Sequence, residues 1–107
     1  MRRGDIVLAA PAGDYGKPRP VLVIQDDAFE ALASVTVLPL TSDLRDAPLV
    51  RVSIEPQTTN GLLKSSQVMV DKAVTLPRSK IGRRIGAADG ATLMAVDAAL
   101  ARFLGLT

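Results

Sequence analysis

The feature that most constrains this chain is the run Lys17-Pro18-Arg19-Pro20-Val21-Leu22-Val23-Ile24-Gln25. Its aliphatic and β-branched residues follow one another without a polar break, which reads as a strand buried on both faces. Each proline biases the residue before it toward an extended backbone, so Lys17 and Arg19 have little conformational freedom. Arg19 therefore stands at the mouth of a rigid core strand. An arginine held in that way is either a packing and solubility device or a fixed anion receptor, and this run alone leaves both open.

What else the chain contains narrows the chemistry. Its 107 residues suit one domain, 1–107, with a real core. Tyr15, Phe29 and Phe103 are its aromatics, so that core must be aliphatic. Cysteine is absent, which removes disulfides and thiolate zinc sites. Histidine is absent as well, and with it the commonest general base and metal ligand. Catalysis would have to rest on Arg, Lys, Asp, Glu, Ser, Thr or Tyr, and no motif calls for a metal or another cofactor. No apolar run reaches the roughly 20 residues that span a bilayer, and no signal-type segment follows Met1-Arg2-Arg3-Gly4-Asp5. The expectation is a soluble cytoplasmic protein with no membrane role. The net charge is only +2, but its distribution is uneven. Lys72, Arg78, Lys80, Arg83 and Arg84 crowd one stretch without an acid, while Asp26, Asp27, Glu30, Asp43 and Asp46 gather elsewhere. Such a basic segment either follows a phosphate backbone or is simply a solvated surface.

Periodicity predicts a first strand over 5–10, then a loop over 9–20 rich in Gly and Pro. Loops of that length often cover sites, and its Tyr15 either stacks on a base or anchors the loop. Strands follow over 21–25 and 35–40, with Pro39 suggesting an edge or a bulge in the latter. Residues 26–32 read as a turn or a single helical turn. Thr41 and Ser42 place hydroxyls at a strand end, where they serve either chemistry or turn capping. Residues 49–55 alternate, with Val50, Val52 and Ile54 on one face. Asn60-Gly61 marks a turn. Further strands are expected over 66–71 and 74–76, and Ile81-Gly82 with Ile85-Gly86 suggests a brief last strand or turn. Asp89 can cap a helix over 90–104 that buries Leu93, Val96, Leu100, Phe103 and Leu104, with Gly105 as its stop. Many short strands and one terminal helix fit a small, strongly bent antiparallel barrel closed by a C-terminal helix.

Taken in order, Arg3-Gly4-Asp5-Ile6-Val7, Arg19-Pro20-Val21-Leu22-Val23-Ile24-Gln25, Leu40-Thr41-Ser42, Asn60-Gly61-Leu62, Ser66-Gln67-Val68 and Asp71-Lys72 resemble the MazF/PemK (Kid) family of toxin–antitoxin endoribonucleases. The resemblance covers essentially the whole chain. It implies an SH3-like antiparallel β-barrel with a C-terminal helix, a homodimer, and metal-independent cleavage of single-stranded RNA or mRNA in a groove along the dimer interface. It also implies a cognate antitoxin whose acidic, disordered segment occupies that surface. By similarity Arg19 matches the family's catalytic arginine and Thr41 its catalytic hydroxyl. Asp71 matches an acid that serves as base in one branch. That branch has an arginine where Met69 stands and a histidine in the first loop, and Val74 replaces a frequent family arginine.

In the implied reaction a 2′-hydroxyl attacks the adjacent phosphorus, leaving a 2′,3′-cyclic phosphate and a 5′-hydroxyl. A guanidinium fork suits the charge that builds on the phosphoryl oxygens. Arg19 would stabilise that charge and donate a proton, Thr41 would bond a phosphoryl oxygen, and Ser42 would assist or cap the turn. Asp71 serves as base only if burial or orientation tunes it, and a salt bridge to Lys72 or Arg78 is the alternative. Lys17, Tyr15, Ser42, Arg78 and Lys80 are the expected RNA contacts, with Arg83 and Arg84 as further backbone contacts. Three rivals stand beside this reading: a gyrase poison of the CcdB type, a barrel that binds RNA or an antitoxin without cutting, and a metal nuclease built on Asp26-Asp27 or Asp43 with Asp46. The first depends on a C-terminal tryptophan, which this chain lacks.

Overall fold

A computed structural model describes residues 1–10 and 17–107. Three strands at its centre carry apolar side chains on both faces: β1 (Asp5–Ala9), β2 (Arg19–Val23) and β3 (Ser34–Thr41). Alternation sends Ile6, Leu22, Leu38 and Leu40 into one core layer, and Val7, Ala9, Val21, Val23, Val35 and Val37 into another. Small β-branched side chains fill the second layer, as a chain with so few aromatics requires.

The remaining strands are β4 (Arg51–Ile54), β5 (Ser66–Met69), β6 (Val74–Pro77) and β7 (Ile81–Ala87). Among the described residues the sheet runs β4-β5-β3-β2-β1-β7, with β6 also on β3, and every pairing is antiparallel. It bends into an SH3-like, barrel-shaped sheet that stays open, since β4 and β7 end the order. Helix α1 (Gly90–Phe103) packs Val96, Leu93 and Leu100 on the first core layer. Asp89 caps it: its carboxylate accepts the Thr92 N–H at 2.8 Å, which holds that carboxyl below the usual range. Gly105, at φ 74°, ends it.

Four expectations need correction. β2 begins at Arg19 rather than residue 21, because Arg19 and Pro20 pair with Ala9 and Leu8. Pro39 is not on an edge. β3 has neighbours on both sides, and residues 38 and 39 fall where one side changes from β6, paired through Val37, to β5, paired from Leu40. A missing N–H is tolerated where the ladder changes partner. The last strand is seven residues long, held along β1 with two register shifts. Phe103 and Leu104 are exposed at 50% and 56%, since the helix leaves the core after Leu100.

Candidate active site

Where β2 starts and β3 ends, the sheet carries a groove of about 530 Å³. Leu8, Leu40, Leu62 and Ile85 give it an apolar floor. Around that floor stand Arg19, Thr41, Ser42, Asp43, Lys64, Ser66 and Arg83. Arg19 is exposed at the start of β2 and lies outside the buried core. Its extended backbone is fixed by pairing with Ala9 and by Pro20.

Thr41 is half-buried at the end of β3, paired with Gln67 of β5. Its Oγ1 accepts the Asp43 N–H at 3.0 Å, a contact that turns the chain and leaves the hydroxyl proton to be donated elsewhere. The segment after Thr41 is held from below. Gln67 accepts the Arg45 N–H through Oε1 at 3.0 Å and donates Nε2 to the Arg45 carbonyl at 2.9 Å. Arg51 donates one Nη1 to Gln67 Oε1 at 2.9 Å and to the Asp43 carbonyl at 3.1 Å. The Asp43 carboxylate pairs with Arg45 at 3.0 Å in the open.

On the opposite wall Asn60 and Gly61 shape the turn that carries Leu62, Leu63 and Lys64. Asn60 is buried, yet its amide is satisfied: Oδ1 accepts the N–H groups of Gln57 and Leu62, both at 3.0 Å, and Nδ2 donates to the Glu55 carbonyl at 2.8 Å. Leu63 is 94% exposed at the groove's rim.

The structure thus brings Arg19, Thr41 and Ser42 together. Asp71 does not line the groove; it lies on the turn Val70–Lys72, with Lys72 at 3.6 Å. Lys17, Arg78 and Lys80 do not line it either. Arg78, just after β6, donates Nε to the Leu32 carbonyl, tying the end of that strand to the segment that leads into β3. Tyr15 lies outside the described residues. Arg84 is committed to Asp5 at 2.9 Å. Burial pushes the Asp5 carboxyl up, but the Arg2 N–H and the Arg84 guanidinium outweigh it and leave it below its ordinary value. Asp26 and Asp27 are likewise occupied, one capping its turn through the Ala28 N–H, the other accepting the Arg3 N–H and pairing with Arg2. Among the described residues no three metal-ligating side chains cluster.

Sequence alone does not single out Lys64, and it names Arg83 only as one of several cations expected along the RNA backbone. Both line the groove, and neither makes an ion pair or side-chain hydrogen bond among the described residues. The alternation of β7 carried the one available signal, since it separates Arg83 from its neighbour Arg84.

The family model for PemK-like, MazF-like toxins of type II toxin–antitoxin systems matches residues 2–104. The probable endoribonuclease MazF of Mycolicibacterium smegmatis is 52% identical over 107 residues, covering 99% of this chain and 98% of that protein. The solved structure of Mycobacterium tuberculosis toxin MazF-mt6 superposes with a TM-score of 0.82 at 29% identity, over 96% of this chain and 98% of that one. An endoribonuclease in complex with its cognate antitoxin, from a mycobacterial species, gives a TM-score of 0.84 at 26% identity, over 100% of this chain and 97% of that one.

Proposed function

Since the chain belongs to the PemK-like, MazF-like toxin family of type II toxin–antitoxin systems, we propose that it is an endoribonuclease that cuts single-stranded RNA, mRNA included, at particular sequences in the cytoplasm without a metal ion. The observation that supports this is the convergence of Arg19, Thr41 and Ser42 on one groove. The RNA's own 2′-hydroxyl attacks phosphorus and gives up its proton to solvent water as the new P–O bond forms. The P–O5′ bond breaks, the 5′-oxygen leaves with a proton, and solvent restores the one that the donor gave. Negative charge grows on the non-bridging oxygens as this happens. Arg19 meets that charge with a planar fork and donates the proton to the leaving oxygen, while the Thr41 hydroxyl bonds a phosphoryl oxygen. Ser42 is placed to assist. The chain acts as a homodimer, and the acidic segment of a cognate antitoxin competes for the same groove. Asp71, expected as base, has no support from a position in this groove.

Incubation of the full chain with a long single-stranded RNA in excess EDTA, followed by end mapping, tests the reading. Discrete cuts with 5′-hydroxyl and 2′,3′-cyclic phosphate ends are expected. Intact RNA, or cuts with 5′-phosphates that vanish in EDTA, would overturn it.

Lys64 and Arg83 supply phosphate contacts away from the reacting bond. For single strands, log K falls with log salt by about 0.7 per phosphate contact. Arg83→Ala should therefore flatten the slope for a 2′-O-methyl oligonucleotide by about 0.7, and Lys64→Ala should do the same. Anisotropy titrations across a salt series measure this, and an unchanged slope would remove these residues from the contact set.

A further inference from the structure

We propose that Gln67 and Arg51 form a clamp whose task is to aim the Thr41 hydroxyl into the groove. This rests on the reading of Thr41 as a group that touches the reacting phosphate. Gln67 is 9% exposed, and its amide is spent on a segment 22 residues away. Its two contacts with Arg45, one donated and one accepted, copy a strand ladder where no strand exists. Arg51 closes the clamp by joining Gln67 Oε1 to the Asp43 carbonyl.

Between these fixed points lies the Asp43 N–H, which donates to Thr41 Oγ1. A hydroxyl that accepts one bond from a fixed direction keeps few orientations for its own proton. With Asp43 pinned, that proton is directed away from the turn. With the segment loose, it is shared among turn acceptors and water. The clamp therefore acts on placement at the reacting centre and not on substrate affinity, and small misplacement there is costly: about 1 Å can lower a rate about 100-fold. Gln67 and Arg51 are positioning residues, since neither lines the groove.

The test is a double-mutant cycle in the full chain, with kcat and KM measured on an oligoribonucleotide spanning one mapped cut. Gln67→Leu should lower kcat roughly 10- to 100-fold with KM within about twofold. In a Thr41→Val background the same change should alter kcat less than about twofold, while its effect on thermal unfolding persists. Gln67→Glu keeps the acceptor for Arg45 and Arg51 but loses the donor, so it should fall between parent and Gln67→Leu, and it carries the test if the leucine variant does not fold. Independent, multiplying losses in the two backgrounds would overturn the clamp, as would a folded Gln67 variant with parental kcat. Parental activity in Thr41→Val would instead overturn the reading of Thr41 itself, so the two failures are distinguishable.

Discussion

Arg19→Ala should cleave RNA about 100- to 1,000-fold more slowly than the parent chain, the usual consequence of losing one charge-stabilising donor. Its fold should survive. Arg19 is exposed, and an ion pair at the surface contributes only about 0–1 kcal/mol. Arg19→Lys keeps the charge but loses the fork that meets two phosphoryl oxygens at once, so it should recover only part of the rate. Single-turnover cleavage beside thermal unfolding measures both effects. Near-parental cleavage by a folded Arg19→Ala would refute the role given to this arginine.

Gly61→Ala should cost about 3–5 kcal/mol of stability, enough to unfold much of a domain whose total is on the order of 5–15 kcal/mol. Gly61 has φ 70°, where a Cβ is strained, and that Cβ would stand 2.1 Å from the Ile85 carbonyl oxygen. Neither atom has room to retreat. The Ile85 oxygen belongs to β7, and Gly86 beside it already lies against Asn60, so that a Cβ there would sit 2.4 Å from the Asn60 carbonyl carbon. This back-to-back contact of two chain segments holds one wall of the groove to its floor. Urea unfolding of the purified variant measures the loss, and a midpoint close to the parent's would show that the wall can yield.

Several elements could be read from local pattern because their causes are local. β1, β2 and β3 announce themselves by β-branched runs, and α1 by its Asp89 cap, its apolar spacing and its Gly105 stop. The errors have a different origin. Pro39 reads as an edge residue only until the exchange of β6 for β5 beside it is known. Phe103 and Leu104 continue the helical stripe, yet the core they would reach ends a turn earlier. Asp71 and Lys72 keep each other company outside the groove, whereas Lys64 enters it on a turn set by buried Asn60.

The sequence by itself determined that a rigid strand would follow a proline-flanked arginine, that the core would be aliphatic, and that neither histidine nor cysteine would do the chemistry. Those properties follow from side-chain volume, backbone restriction and the inventory of ionisable groups. Tertiary structure alone decided which cations face Arg19, which segment wraps Thr41, and how Gln67 holds that segment. Each depends on residues tens of positions apart meeting across an antiparallel sheet, and register between strands is set by the packing of the whole core, not by any one stretch of chain.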